Sequence, residues 1–328
     1  MPEFRQNILT KDWVIVAPER AKRPDQFKKA KAKRELPERE PTCPFCAGNE
    51  DKTPSAVFEH KENGSWLTRV VPNKFAAVNP SVRPVRRQVG RFMSADGFGI
   101  AEVVVESPKH NLTLGQMGVA DVKRVLGAYK QRYIEIAKNP DIDLITIFRN
   151  NGAAAGTSLE HPHSQIIATP IITQRLRSTY FNAINHHDTF GTCHFCAMLE
   201  DELQLKERVV METAHFVALC PFASSVPFEL FIIPKRHASH FSQIDEPEMD
   251  DMANLLRTIL HKLYTGLDNP DYNFVIESAA NSENHTRYSH WHLNLVPRLT
   301  TPAGFELGSG IFINTMPPEQ AAKYIREF

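Results

Sequence analysis

The segment EHPHSQIIATP, residues 160–170, places two histidines one residue apart at the start of a strand-like apolar run. Side chains alternate along a strand, so His161 and His163 are expected on one face, and Gln165 continues that face. An imidazole with an ordinary pKa near ~6.5 is largely neutral at cytoplasmic pH and can act as a nucleophile without special activation. The spacing therefore predicts that one histidine binds a metal ion while the other faces a substrate.

The preceding loop, NNGAAAGTS at residues 150–158, consists mostly of small residues. Such a loop lets backbone N–H groups approach an anion closely, and the Ser158 hydroxyl adds a further donor. The amide of Gln165 can hydrogen-bond a phosphoryl oxygen as charge builds in a transition state. Together, the loop, the histidine and the glutamine favour phosphate chemistry. Without the loop, the strand residues alone would indicate only a polar, exposed strand face.

Four of the five cysteines form two Cys-x-x-Cys pairs, in CPFC and CHFC. Zinc prefers four such soft or borderline ligands in a tetrahedron, and histidines can complete each pair. The two expected sets are Cys43, Cys46, His110 and His161, and Cys193, Cys196, His237 and His290. His240 is an alternative to His237, and the fifth cysteine, Cys220, is expected to be a small buried hydrophobe. A zinc ribbon would need only ~15–20 residues between the pairs, far fewer than this chain has.

The order of elements around these ligands occurs twice. His110 and His161 are separated by 51 residues, and His237 and His290 by 53. In each interval a helix with apolar residues at i, i+3, i+4 and i+7 precedes a buried strand, IDLITIF or YNFVIES. The repeat predicts a duplicated α+β unit, in which each half is a mainly antiparallel sheet with helices packed on it. The join is expected in FNAINHHDTFGT, residues 181–192.

Composition narrows the classes of function. Lys and Arg total 38, as do Asp and Glu, so no global positive field attracts nucleic acid. No apolar run approaches the ~20 residues of a membrane span. The first residues, MPEFRQNILTKDW, lack the apolar stretch of a signal peptide, and a cytoplasmic location is expected.

The motifs as a set resemble the galactose-1-phosphate uridylyltransferase family, a branch of the histidine-triad superfamily. They are HPHSQ after NNGAAAGTS, together with APERAKRP, CPFC, VVPNKF, ESPKH, IIPKRH and GFELGSGIFIN, and they span nearly the whole chain. The resemblance implies an α+β fold of two tandem histidine-triad-like halves, residues 1–180 with the first zinc site and 181–328 with the second. It also implies a homodimer.

The resemblance further implies a reaction. His163 would attack the α-phosphorus of a nucleotide sugar, expel a sugar 1-phosphate and pass the nucleotide to a second phosphate-bearing acceptor. The carbonyl of His161 would orient the nucleophile, so both zinc ions would be structural. The positions that match family substrate contacts are Asn150, Ser158 and Gln165 for phosphate, Arg20 and Arg23 in the N-terminal motif, and Asn73 for the nucleoside.

Departures from the uridylyltransferase pattern lie mostly in the second half. The hexose-contacting Lys before Phe305 and the Tyr-Glu pair beyond it are absent, with Ser309 and Gly310 in place of the pair. The two His-x-His positions of the family's iron site are Asn294 and Val296 here. The second cysteine pair resembles a sister branch with ADP-glucose phosphorylase activity. Two reactions stay open: exchange between UDP-glucose and a hexose 1-phosphate, and transfer of AMP from ADP-glucose to phosphate.

Two other functions are alternatives to nucleotidyl transfer. One is a non-catalytic, zinc-stabilised nucleotide-binding module with His163 only lining a pocket. The other is a nucleotide hydrolase of the histidine-triad type, which carries a histidine where this chain has Gln165. His292 stands at the nucleophile position of the second half but lacks a small-residue loop, so one active site per chain is expected.

Overall fold

The computed structural model describes residues 1–20, 27, 36–281 and 287–328. Its strands are β1 (Glu3–Gln6), β2 (Trp13–Val16), β3 (Phe58–Glu62), β4 (Ser65–Pro72), β5 (Arg86–Val89), β6 (Phe92–Ala95), β7 (Ile100–Val105), β8 (Leu144–Asn151), β9 (His163–Thr169), β10 (Val209–Glu212), β11 (Phe216–Leu219), β12 (Leu230–Pro234), β13 (Tyr272–Glu277), β14 (His292–Pro297) and β15 (Phe312–Asn314). Its α-helices are α1 (Val119–Ala137), α2 (Gln174–Phe190), α3 (His194–Leu205), α4 (Glu246–Gly266), α5 (Gly304–Ser309) and α6 (Pro318–Arg326).

Ten strands form one antiparallel sheet in the order β10-β11-β12-β14-β13-β8-β9-β7-β4-β3. Five come from each half of the chain, and the halves meet where β13 pairs with β8, from Tyr272 opposite Asn151 to Ile276 opposite Ile147. The α+β architecture with antiparallel strands is confirmed. The two expected sheets are joined edge to edge, because pairing β8 with β13 satisfies backbone groups that each half would otherwise leave open at its edge.

Helices α1 and α4 pack together on one face of this sheet and share its largest apolar core. The residues of α1 that follow the predicted i, i+3, i+4, i+7 pattern are all buried: Val122, Val125, Leu126, Tyr129 and Tyr133. The N-cap of α1 is Gly118, whose backbone N–H donates to the carboxylate of Asp121. The N-cap of α4 is Asp245, whose carboxylate accepts the Glu248 N–H.

The opposite face of the sheet is covered by the segments that carry the Cys-x-x-Cys pairs. Phe45 and the first pair pack with Val103 and Val105 of β7 in one small apolar cluster, and Phe195 of α3 packs with strands of the second half in another. Each cluster holds a predicted ligand set against its own half of the sheet. The candidate site residues are therefore on the face that α1 and α4 do not cover.

The chain termini and the junction between halves complete the fold. The β1–β2 hairpin pairs in parallel with β15, which ties the two ends of the chain together. Residues 181–190 of the expected join continue α2, which begins at Gln174 after the N-cap Thr173. Across the described residues, no helix combines the length and the apolar character needed to cross a bilayer.

Candidate active site

The first ligand set converges on one point. The distances from Cys46 Sγ to the Nδ1 atoms of His110 and His161 are 3.5 and 3.6 Å, and the two Nδ1 atoms are 3.3 Å apart. A tetrahedral ion with Zn–S of about 2.3 Å and Zn–N of about 2.0–2.1 Å places S and N about 3.5 Å apart and two N atoms about 3.3 Å apart. Cys43 completes the set, and all four residues are buried. The donor types and spacing fit a structural zinc ion.

Backbone contacts fix the orientation of His161. Its Nε2–H donates to the Ser107 carbonyl over 2.8 Å, because a carbonyl can only accept. The lone pair of the ring is therefore on Nδ1, the atom that faces the cysteines. Burial lowers the pKa of His161 to about 4, so this imidazole is neutral at pH 7 and suited to hold a cation.

His163 is oriented by the metal-ligand residue before it. Its Nδ1–H donates to the backbone carbonyl of His161 over 2.7 Å, which leaves the Nε2 lone pair free. Its ring is 8% exposed and lies 5.4 Å, centroid to centroid, from the ring of Phe45. Burial lowers the pKa of His163, which keeps the imidazole neutral. A neutral imidazole with a directed lone pair is what a nucleophile requires.

The neighbouring residues on β9 face opposite sides of the sheet. Ser164 hydrogen-bonds Tyr129 of α1, so it points to the helix side. His163 and Gln165 consequently point to the other side, as the alternation predicted. Both line a cavity of about 410 Å³ that also contains Asn73 and Ser158.

A larger cavity of about 830 Å³ adjoins the first, and His163 and Ser158 line both. The larger one also contains Asn150 and the start of the small-residue loop. Ligand sites of drug-sized molecules commonly measure about 300–1,000 Å³, so the joined space can hold a nucleotide sugar. The structure thus brings four of the predicted substrate-site residues together around the imidazole of His163: Asn73, Asn150, Ser158 and Gln165.

The loop before His161 depends on its glycines and on the second half of the chain. Gly152 has φ +88°, and a Cβ there would overlap the carboxylate of Asp271. That carboxylate accepts the Ala154 N–H over 2.8 Å. The Asn273 amide of β13 donates to Oδ1 of Asn150 over 2.7 Å. The second half therefore positions the candidate phosphate loop of the first, which the sequence did not indicate.

Sequence reasoning also missed a buried ion pair beneath the site. Arg149 Nε donates to the Glu106 carboxylate over 2.9 Å, and both residues are 2% exposed. Burial acts to lower the pKa of the Arg149 guanidinium, but Glu106 together with Tyr272 and Tyr129 outweighs burial, and the pKa is raised. Glu106 also accepts the Ser164 hydroxyl, and Arg149 donates to Oδ1 of Asn151. The pair thus connects the strand that carries His163 to the candidate phosphate loop.

Arg149→Leu is expected to lower the free energy of unfolding by about 3 kcal/mol, because it leaves the Glu106 carboxylate buried without its cation. Urea unfolding monitored by circular dichroism measures this change. The double variant Glu106→Gln/Arg149→Met should be less destabilised than Arg149→Leu alone, since no uncompensated charge remains. Equal stability of Arg149→Leu and the wild type would contradict this account of the pair.

The second ligand set has the same construction but is less enclosed. Cys196 Sγ lies 3.4 Å from Nδ1 of His237 and 3.6 Å from Nδ1 of His290, and Cys193 completes the set. The His290 Nε2–H donates to the Pro234 carbonyl over 2.9 Å, as His161 does to Ser107. His237 is exposed and Cys196 partly exposed. The geometry fits zinc here too.

Four further residues singled out from the sequence have different outcomes. His240, the alternative ligand, has its Nδ1 2.8 Å from the Ser239 hydroxyl and is outside the second ligand set. Arg20 ends a short 3-10 turn, is exposed and lines neither cavity at His163. Arg23 lies outside the described residues. Cys220 is fully buried, as expected of a small hydrophobe.

Comparison with known proteins covers the whole chain. The model of the galactose-1-phosphate uridyl transferase N-terminal domain matches residues 1–173, and that of the C-terminal domain matches residues 175–326. An ADP-glucose phosphorylase of Arabidopsis thaliana is 36% identical, over 99% of this chain and 93% of that protein. A galactose-1-phosphate uridylyltransferase of Thermotoga maritima is 30% identical, over 100% and 98%.

Solved structures agree with the sequence matches. The crystal structure of an Arabidopsis thaliana ADP-glucose phosphorylase with bound ADP-glucose superposes with a TM-score of 0.85 at 34% identity, covering 100% of this chain and 99% of that one. Both halves, their order and the overall fold therefore match. The chain belongs to the galactose-1-phosphate uridyl transferase family.

Proposed function

We propose that the protein is a nucleotidyltransferase in which His163 carries the nucleotide between two phosphate-bearing substrates. Nε2 of His163 attacks the α-phosphorus of a nucleotide sugar, a P–N bond forms, and the P–O bond to the sugar 1-phosphate breaks. The acceptor phosphate then attacks the same phosphorus, breaks the P–N bond and restores the neutral imidazole. The single observation that carries this proposal is the 2.7 Å hydrogen bond from His163 Nδ1–H to the His161 carbonyl, on a ring that lines both cavities.

The same hydrogen bond assists the chemical step. The imidazole ring gains positive charge as Nε2 bonds to phosphorus, and the carbonyl dipole at Nδ1–H stabilises that charge. The side chains of Asn150, Ser158 and Gln165 would donate to the phosphoryl oxygens, and Asn73 would contact the nucleoside. A glutamine at position 165 offers no acid or base to activate water, which favours transfer over hydrolysis. A zinc ion held by His161 and its partners would supply rigidity to the carbonyl that orients the nucleophile.

The first candidate reaction moves UMP from UDP-glucose to a hexose 1-phosphate. The match of both domain models and the full-length similarity to the Thermotoga maritima uridylyltransferase support it.

The second candidate moves AMP from ADP-glucose to inorganic phosphate. It is supported by the 36% identity with the Arabidopsis thaliana ADP-glucose phosphorylase and by a second complete Cys/His set. In addition, the tail around α5 lacks the Lys and the Tyr-Glu pair that contact hexose in the uridylyltransferase pattern.

A panel of donors and acceptors decides between these reactions. UDP-glucose and ADP-glucose are each incubated with the protein and with galactose 1-phosphate, glucose 1-phosphate or phosphate, and products are separated by chromatography. We expect kcat/KM for one donor–acceptor pair to exceed that of the others by at least about 100-fold. When a different base or acceptor binds, polar groups of the site lose their hydrogen-bond partners. If the nucleotide labels His163 but is passed to none of the three acceptors, the acceptor is another phosphate-bearing compound. Absence of label and product with every pair would favour the non-catalytic module, and release of free nucleotide would favour the hydrolase.

We further propose that the protein acts as a homodimer in the cytoplasm. Exposed aromatic side chains along α2, Phe181 and Phe190, are 65% and 68% exposed and offer apolar surface for a partner chain. None of the five cysteines forms a disulfide, which suits a reducing compartment. Light scattering coupled to size exclusion is expected to give twice the 37.2 kDa chain mass, and a single-chain mass would refute the dimer.

A further inference from the structure

A third cavity, of about 340 Å³, lies in the second half of the chain. Its wall includes His292, which follows the metal-ligand residue His290 by two positions as His163 follows His161. Glu277 of β13 pairs opposite His292 of β14 and also lines the cavity. The cavity therefore occupies the place that corresponds, by the internal duplication, to the candidate active site.

Its polar groups are buried and held in place. The ring of His292 is 6% exposed and lies between the rings of Phe195 and Phe231, at centroid distances of 4.7 and 4.9 Å. Its Nε2 is 4.0 Å from the nearest Glu277 carboxylate oxygen, too far for a hydrogen bond. One ligand hydroxyl can accept from the imidazole and donate to that carboxylate at the same time.

A second pair of polar groups lies further along β14. The Glu229 carboxylate is 7% exposed and accepts the Ser225 N–H and hydroxyl over 2.6 and 2.9 Å. The Asn294 amide hydrogen-bonds Glu229, and its Oδ1 is buried with no hydrogen-bond partner among the described residues. A buried acceptor of this kind costs stability unless a donor reaches it, so it marks a place for a ligand hydroxyl.

The charges around this cavity differ from those at His163. Three carboxylates line it, those of Asp12, Glu229 and Glu277, against one guanidinium, that of Arg175. Arg175 already contacts Glu277 over 3.2 Å, so it is partly neutralised. Excess negative charge disfavours a phosphate group. The lining instead suits a neutral ring with several hydroxyls. It offers carboxylates, an amide and an imidazole for hydrogen bonds, and Trp13 offers an aromatic face.

We propose that this cavity is a second small-molecule site, which binds a neutral, hydroxyl-rich ligand of single-sugar size between β14, α2 and the N-terminal segment. Its volume is near the lower end of the range for ligand pockets, about 300 Å³, which fits one sugar ring and excludes a whole nucleotide sugar. The site is separate from nucleotidyl transfer at His163.

The test uses D-glucose and D-galactose as probes on the full-length protein. Saturation-transfer NMR titration gives the apparent Kd of each sugar for the wild type and three variants. Asn294→Leu removes the unpartnered Oδ1 atom at similar side-chain size, and Thr179→Phe on α2 narrows the cavity mouth. The matched control Ser178→Phe adds a phenylalanine at the preceding residue of α2, which is exposed and outside the cavity wall.

We expect at least one sugar to bind the wild type, with Kd increased about tenfold or more by Asn294→Leu and by Thr179→Phe and unchanged by Ser178→Phe. Thermal unfolding identifies a variant that fails to fold. If Asn294→Leu fails to fold, Thr179→Phe, at a half-buried position of α2, still tests the site. No binding of either sugar up to about 50 mM, or binding that all three variants leave unchanged, would overturn the site. Nucleotidyl transfer is assayed on the same samples, and its absence counts against the proposed function alone.

Discussion

His163→Ala is expected to abolish nucleotidyl transfer, with kcat/KM reduced by at least about 10⁴-fold, or about 5.5 kcal/mol of transition-state stabilisation. The imidazole provides the only nitrogen in the proposed mechanism that bonds to phosphorus, and alanine leaves nothing to accept the nucleotide. The fold should survive, because the lost ring makes one hydrogen bond to a backbone carbonyl and lies at a cavity wall. Metal content should be unchanged, since Cys43, Cys46, His110 and His161 are intact.

The measurement combines steady-state kinetics with mass spectrometry of the protein after incubation with the productive nucleotide sugar. Wild-type protein should gain one nucleotidyl group, stable in alkali and labile in acid, on the peptide that contains residue 163. The matched control is His60→Ala, which removes an exposed imidazole of β3 outside both cavity walls and should retain wild-type rates. Wild-type-like exchange by His163→Ala would refute the assignment of the nucleophile.

Much of this site could be predicted from the sequence because its signals are local. Strand alternation places His163 and Gln165 on one face, and the two Cys-x-x-Cys pairs with similarly spaced histidines predict two four-residue ligand sets. The apolar rhythm of α1 likewise identifies its buried face, as the burial of Val122 and Tyr129 shows. In each case, residues close together in sequence carry the information, or the repeat supplies the distant partner.

The missed features depend on contacts between distant segments. Nothing near Arg149 indicates that its partner is Glu106, 43 positions earlier, and nothing near Asn150 indicates Asn273 on the other half. The Asn150–Asn273 contact follows from the pairing of β8 with β13, and the Arg149–Glu106 contact follows from the position of β9 between β8 and β7. Helix α2 was missed for another reason: it buries only Tyr180 and Ala183, so its sequence has little apolar periodicity.

Removing the first zinc site is expected to have the largest effect on stability. In Cys43→Ser/Cys46→Ser, hydroxyls replace the two thiolates, and the zinc content should fall by one ion per chain. Structural zinc contributes about 10–16 kcal/mol of binding free energy in small domains. Loss of even half of this binding free energy lowers the free energy of unfolding by more than about 5 kcal/mol. Transfer should fall as well, because the His161 carbonyl that orients His163 loses its anchor.

The matched variant Cys193→Ser/Cys196→Ser removes the second site, and metal analysis with urea unfolding compares the two. We expect a smaller loss of stability and nearly unchanged transfer, because His237 is exposed and this site lies in the other half of the chain from His163. Cys220→Ala, which removes a buried thiol outside both sets, should keep both metal ions. Two zinc ions retained in Cys43→Ser/Cys46→Ser would contradict the ligand assignment. Equal loss of transfer in both double variants would instead show that the metal stabilises the sheet as a whole rather than the nucleophile, since the two ligand sets are attached to different halves of one continuous sheet.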